Sequence, residues 1–311
     1  MKPTISRTFL FVAILLCSAS LGLPYALGQQ SDPDRKQFLE IRAKAEKGEA
    51  DAQTQLGFFY TIGRGVEKDE QEAMRWYRKA AEQDFAQAQF VLGFSYCNGE
   101  LGVAKDQAEG VRWYRKAADQ NLAPAQNGLG DCYASGQGVK QDDAEALKWY
   151  RKSAGLSHAE GQISLGNCYL RGRGVEKDSV EAVKWYRKAA EQRDPRGQMS
   201  LGNCYANGQG VEKDPVEALK WYRKAAEQNY AEGQLTLGIC YAAGQGVEKD
   251  YAEAYAWLNL LSAKAHPFAE VAKTRRDVLE QKMSPQQVAD AQKRTKELRL
   301  LVEAKFQSGG K

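Results

Sequence analysis

Ser200-Leu-Gly-Asn-Cys-Tyr-Ala-Asn-Gly-Gln-Gly-Val-Glu-Lys-Asp-Pro-Val-Glu-Ala-Leu-Lys-Trp-Tyr-Arg-Lys-Ala-Ala-Glu-Gln-Asn-Tyr230 is one copy of a phrase that the 311-residue chain repeats almost word for word. Its Leu-Gly pair starts at Leu56, Leu92, Leu129, Leu165, Leu201 and Leu237, and its tryptophan falls at Trp76, Trp113, Trp149, Trp185, Trp221 and Trp257. The step is 36 residues, with one step of 37 where Gly99-Glu-Leu-Gly102 replaces the Gly-x-Gly of the other copies. A fixed period in this range builds a solenoid, in which each unit leaves an apolar face for its neighbour to cover.

Each copy reads as two helices. Helix A of the fifth copy is expected from about Pro195 to Asn207, with Gly197, Leu201, Gly202 and Tyr205 at helical spacing. A mid-helix glycine costs about 1 kcal/mol relative to alanine. Gly202 has a counterpart in every copy, so a bulky ring, expected to be the tryptophan, must pack on the helix backbone. Gln198, with Gln53, Gln89, Gln126, Gln162 and Gln234, reads as a recurring hydrogen bond from one repeat to the next. Gly208-Gln-Gly210-Val211 then ends the helix, its glycines supplying left-handed backbone. As a phosphate loop this Gly-x-Gly is a poor match, because it follows a helix and lacks a third glycine.

Helix B opens with Asp214 as N-cap, Pro215 at the first position and Glu217 two positions later, a capping box that recurs at Asp69/Glu72, Asp106/Glu109, Asp142/Glu145, Asp178/Glu181 and Asp250/Glu253. Ala218, Trp221, Tyr222 and Ala225 form its buried stripe, and one tryptophan per repeat distributes the core evenly. Arg223, Lys224 and Glu227 are expected to face outward as a solvated mixed-charge surface.

Outside the repeats, residues 1–28 read as a secretory signal: Lys2 and Arg7, an apolar run from Phe9 to Leu16, and Ala26-Leu27-Gly28 as the cleavage site. The run is shorter than the roughly 20 residues that a membrane span needs, which disfavours an uncleaved anchor. Leu16 before Cys17 disfavours lipoprotein processing. Residues 29–49 form an N-terminal capping helix with Phe38, Ile41 and Ala45 as its apolar stripe. The six repeats occupy about 50–85, 86–122, 123–158, 159–194, 195–230 and 231–263. Capping helices follow over 264–305, around Pro267–Gln281 and Ser284–Ala304, and 306–311 is expected to be a disordered tail.

The net charge is +4, falling to +2 without Lys2 and Arg7, which gives no electrostatic footprint for nucleic acid. Cys132, Cys168, Cys204 and Cys240 share one repeat position, while Cys97 lies two places later in its own copy. Equivalent positions in stacked helices stand roughly 8–10 Å apart, and a disulfide needs Cα atoms within about 7 Å. The five cysteines therefore read as small buried hydrophobes, and no second ligand recurs at zinc spacing.

The order small-x-x-x-Leu-Gly-x-x-Tyr-x-x-Gly-x-Gly-Val, Asp-x-x-Glu-Ala, Trp-Tyr-Arg-Lys-Ala-Ala over residues 50–263 closely resembles the Sel-1-like repeat, a relative of the tetratricopeptide repeat. Trp257-Leu-Asn-Leu through Met283-Ser-Pro-Gln-Gln is similar to the C-terminal segment of bacterial members. The resemblance implies an all-α fold, a right-handed α/α superhelical solenoid of helix-turn-helix repeats that holds protein partners on its concave surface. It also implies export, to the periplasm or outside the cell. Some cysteine-rich secreted members pair cysteines between the two helices of one repeat, but this sequence has no helix B cysteine. A β-lactamase label attached to such proteins finds no chemistry here. There is no Lys-Thr-Gly, and the one Ser-x-x-Lys is Ser308-Gly-Gly-Lys311 in the tail.

The function expected is that of a non-catalytic scaffold for proteins or peptides, monomeric, without cofactor or metal, binding no nucleic acid and not inserted in a membrane after signal cleavage. Candidate partner-binding positions vary while the frame stays fixed: Phe58, Phe94, Asp131, Asn167, Asn203 and Ile239, each directly after Leu-Gly. A polar centre with apolar ends suits an extended peptide, and the same row reads equally as ordinary helix surface. The alternative function is an envelope scaffold that binds glycan or peptidoglycan through aromatic and amide side chains. The two histidines, His158 and His266, stand in no recognisable catalytic motif.

Overall fold

The computed structural model describes residues 32–309, and their regular elements are all α-helices. The signal-like segment 1–28 lies outside the described residues. A first helix, α1 (Asp32–Glu46), precedes six helix pairs. These are α2 (Ala50–Ile62) with α3 (Glu70–Glu82), α4 (Ala86–Asn98) with α5 (Gln107–Asp119), and α6 (Ala123–Ser135) with α7 (Asp143–Gly155). They continue with α8 (Ala159–Arg171) and α9 (Ser179–Glu191), α10 (Pro195–Asn207) and α11 (Pro215–Glu227), and α12 (Ala231–Ala243) and α13 (Tyr251–Ser262). Two closing helices follow, α14 (Ala269–Glu280) and α15 (Pro285–Gly309). The chain divides into two compact units between Ser153 and Ala154.

In the first unit, α1 lays Phe38, Ile41 and Ala45 on α2, the stripe expected of a capping helix, and all three are buried. Leu56, Phe59, Tyr77 and Leu92 continue that core. A second cluster gathers Cys97, Val111, Tyr114, Leu129 and Cys132. In the second unit, Val183, Tyr186, Leu201 and Cys204 pack together, and a larger cluster joins Tyr222, Leu237, Trp257 and Leu261 to Leu279, Leu298 and Val302 of the closing helices. The apolar α13 is buried by α14 and α15, as its composition requires. α15 runs to Gly309, past Phe306 where a disordered tail was expected. No proline interrupts it there, and each residue added to a formed helix gains a backbone hydrogen bond.

Three features of the repeat differ from the sequence expectation. The ring against the recurring helix A glycine is tyrosine, not tryptophan: a Cβ on Gly93, Gly130, Gly166 or Gly202 would lie 2.5–2.6 Å from Tyr114, Tyr150, Tyr186 or Tyr222. In the sixth repeat Leu258 takes the tyrosine's place against Gly238. The burial of tryptophan varies from repeat to repeat instead. Trp76, Trp221 and Trp257 are buried, whereas Trp113, Trp149 and Trp185 are half-buried.

The capping box is also only half formed. Asp214 Oδ1 accepts from the Glu217 amide at 2.9 Å, as an N-cap should. The Asp214 amide, however, donates to the Tyr205 carbonyl at 2.9 Å and so clips helix B to the end of helix A. Glu217 is thereby released to pair with Lys220 at 2.8 Å, and Glu72, Glu109, Glu145 and Glu181 do the same with Arg75, Arg112, Lys148 and Lys184. Between the helices, Gly208 is left-handed at φ 69° and closes helix A by donating to the Cys204 carbonyl. Gly210 approaches the previous repeat so closely that a Cβ would stand 2.0 Å from the Ser179 carbonyl oxygen. The Gly-x-Gly is thus a packing device between repeats.

Candidate binding surface

The residues after Leu-Gly all lie on helix A, held by the glycine–tyrosine contact beside them. In the first unit, Phe58 is 7% exposed and packed in the core, so its ring is not the surface anchor that the sequence suggested. Phe94 is half-buried against the neighbouring cluster, and Asp131 is exposed. In the second unit, Asn203 is exposed, while Asn167 and Ile239 are half-buried.

The polar members share one arrangement. Tyr150, Tyr186 and Tyr222 donate their hydroxyls to Asp131 Oδ1, Asn167 Oδ1 and Asn203 Oδ1 at 2.7, 2.8 and 2.8 Å. Burial pushes the Tyr186 and Tyr222 hydroxyls above their ordinary pKa, so they remain donors. Asp131 Oδ2 also accepts from Asn127 at 3.2 Å. Asn167 and Asn203 therefore turn their amide oxygens inward, and their Nδ2 groups are the donors left for a partner. The row is thus part of the frame as well as of the surface: each asparagine oxygen is held by the fold, while Asn203 is exposed and Asn167 half-buried.

The helix B face is less simple than a solvated strip. Lys79, Lys116, Lys152, Lys188 and Lys224 fold back over Trp76, Trp113, Trp149, Trp185 and Trp221, with Nζ 3.6–4.2 Å from the ring centroid. Arg78 and Arg187 reach the Tyr96 and Tyr205 hydroxyls of the following repeat at 2.9 and 2.8 Å, and Arg223 bonds Tyr241 in the same way. The Trp-x-x-Lys spacing was a legible signal for the first contact. The arginine bridge depends on how neighbouring helices stack, which spacing alone does not give. In the second unit, Trp185, Lys188, Glu191 and Gln192 line a shallow groove with Gln162. Its equivalent, lined by Trp221, Lys224, Glu227 and Gln228, is also lined by Lys305 of α15, which pairs with Glu227.

The recurring glutamines do tie the repeats together. Gln198 Nε2 donates to the Ala190 carbonyl of the preceding helix B at 3.4 Å, and its oxygen accepts from Gln228 at 2.8 Å. Both histidines are spent on local structure. His158 Nδ1 caps α8 by accepting from the Gly161 amide at 3.3 Å, and burial lowers its pKa. His266 Nδ1 accepts from the Phe268 amide at 3.1 Å. Among the described residues no group of three or more His, Cys, Asp or Glu is placed to hold a metal ion.

A family model described as Sel1 repeat matches residues 50–85, 86–122, 123–158, 159–194, 195–230 and 231–266. The chain is similar to the ERAD-associated E3 ubiquitin-protein ligase component HRD3A of Arabidopsis thaliana, with 31% identity over 75 residues, covering 24% of this chain and 11% of that protein. Among solved structures it is similar to a protective antigen present in uropathogenic Escherichia coli strains that displays an SLR fold, at 39% identity and a TM-score of 0.68, covering 84% of this chain and 56% of that one. It is also similar to a Sel1 repeat protein from Oxalobacter formigenes, at 34% identity and a TM-score of 0.69, covering 83% and 98% of the two chains. The chain thus spans a small part of the plant protein and little more than half of the E. coli antigen.

Proposed function

The chain belongs to the Sel1 repeat family, and from that premise we propose that it is a non-catalytic scaffold that takes protein or peptide partners on its helix A row. Sel1 repeat proteins are in general scaffolds for protein interaction. The observation that carries the assignment is the split use of Asn167 and Asn203. Each is locked by a tyrosine through its oxygen, so its outward Nδ2 donor is held in a fixed place. Donors preset in this way suit the backbone carbonyls of an extended peptide, because little side-chain freedom is lost on binding. The glycan reading is disfavoured by the lysine ammonium groups over the tryptophan faces that a sugar would stack on. An enzymatic reading meets two histidines that each hold a backbone amide of their own turn through Nδ1.

The same reading places the mature protein outside the cytoplasm, supported by the Lys2–Gly28 pattern alone. No described helix is long and apolar enough to cross a membrane. The test is a photo-crosslinking residue placed at Asn203 and, as a control, at the exposed Val216 of helix B. A discrete protein adduct from position 203 and none from 216 supports the scaffold surface, and equal labelling from both removes it. N-terminal sequencing of the exported protein is expected to begin at Gln29.

A further inference from the structure

We propose that Cys97 and Cys132 form a disulfide that joins helix A of the second repeat to helix A of the third. Both are buried, at 5% and 3% exposure, in one core cluster with Val111, Tyr114 and Leu129, and the helices that carry them, α4 and α6, touch. Both are free thiols in the structure, and each shifts the other's pKa. The objection from spacing does not apply to this pair. Cys97 is not at the shared cysteine position, which Ser95 occupies in this repeat, but about half a helical turn further along.

The second repeat departs from the common frame a second time, and the departure fits the first. Gly110 stands where the other copies have Ala73, Ala146, Ala182, Ala218 and Ala254. A Cβ on Gly110 would lie 2.4 Å from Cys97 Sγ, so the missing methyl is the space that the sulfur fills. The repeat has lost a side-chain carbon on helix B and gained a sulfur on helix A, beside a second sulfur.

The chemistry separates this pair from the cysteines of the second unit. The neighbouring Cys132 thiol, aided by Lys105, lowers the Cys97 pKa, and the Cys97 thiol raises that of Cys132. Burial pushes Cys204 and Cys240 up to about 11. Cys97 is therefore the attacking sulfur. Its thiolate displaces one sulfur of a small-molecule or protein disulfide while the last turn of α4 is open, giving a mixed disulfide and one released thiol. Cys132 then loses its proton and attacks Cys97 Sγ, expelling the second thiol. The cysteine pair has given up two protons and two electrons, and the oxidant's S–S bond has become two thiols.

The full chain, folded in reductant, is equilibrated with oxidised glutathione, alkylated under denaturing conditions and digested without reduction. The expected result is a linked Cys97–Cys132 peptide, with Cys168, Cys204 and Cys240 alkylated, and a thermal midpoint raised by roughly 5–10 °C. Cys97→Ala copies the residue that the third, fifth and sixth repeats carry as Ala134, Ala206 and Ala242, so it should fold while losing both the link and the rise. Recovery of both cysteines in alkylated or glutathione-bound form from the oxidised folded chain overturns the assignment. So does a link to another cysteine, or an equal rise in Cys97→Ala.

Discussion

The ring of Tyr222 stands so close to Gly202 that a β-carbon built on the glycine would come within 2.6 Å of the ring's Cε1. Intrinsic propensity favours alanine here by about 1 kcal/mol, whereas overpacking a filled core costs about 1–3 kcal/mol. Because Tyr222 is buried and tethered through its hydroxyl, the steric effect wins. Gly202→Ala is expected to destabilise the chain by about 1–2 kcal/mol in urea unfolding. Gly155, the last residue of α7, has nothing within 4 Å of a built Cβ, so Gly155→Ala should stabilise by about 0.5–1 kcal/mol. If both variants move the same way, the tyrosine contact is not what keeps Gly202.

The tyrosine hydroxyls also decide how the binding row must be tested. Replacing Asp131, Asn167 and Asn203 by alanine removes partner contacts and also strands three part-buried hydroxyls. That loss should cost about 1 kcal/mol at each site. Replacing Tyr150, Tyr186 and Tyr222 by phenylalanine removes the same hydrogen bonds but keeps the surface groups. Both triple variants are expected to unfold earlier, and the alanine one alone to lose a partner recovered by pull-down. Equal loss in both assigns the row to the frame.

How much of this was legible depends on whether a contact is local. The bounds of helix A in the fifth repeat, the N-cap aspartates and the Phe38–Ile41–Ala45 stripe follow from spacing within one helix, and the structure has them where the sequence put them. The partner of Gly202 was misassigned because Trp221 and Tyr222 are adjacent, and only the rotation of helix B against helix A decides which ring faces inward. The burial of Phe58 depends on the neighbouring aromatic Phe59 and the surrounding core, which a comparison of equivalent letters does not show. The tyrosine lock on Asn167 and Asn203 spans 19 residues and two helices, and no periodicity reports it.

The turn from helix B to the next helix A carries strain that the repeating letters hide. Asp84, Asn121, Ser157, Arg193 and Asn229 all have positive φ, from 58° to 68°. Aspartate and asparagine tolerate this region, but a long side chain does not, and the left-handed conformation costs an L-residue about 1–2 kcal/mol. Arg193→Gly is expected to stabilise by about 1 kcal/mol, with Arg193→Asn intermediate. Asn229→Gly should gain less than Arg193→Gly. These are measured as shifts of the urea midpoint at constant slope. A loss on Arg193→Gly would mean that the guanidinium contributes more than the backbone strain costs.

The sixth repeat replaces a rung of the glutamine ladder with a lysine, and stability should depend on pH there. Gln83, Gln120, Gln192 and Gln228 donate to Gln53, Gln89, Gln162 and Gln198 at 2.7–2.8 Å. In the sixth copy Lys264 Nζ lies 2.6 Å from Gln234 Oε1 and 2.5 Å from Asn229 Oδ1. Two neutral acceptors do not offset the loss of water, and burial lowers the Lys264 pKa to about 8. In the unfolded chain the same group titrates near about 10.4. Between those values the unfolded state binds more protons, so stability rises with pH across that window and is lowest, as far as this residue is concerned, below about 8. Lys264→Gln restores an uncharged donor to Gln234. The variant is expected to exceed the parent in stability at about pH 7, and the gap should close as pH rises to about 10. The comparison is a urea midpoint for each protein at several pH values, which cancels the titrations they share. A gap that widens with pH would show that the two amide oxygens hold the ammonium form more strongly than burial opposes it.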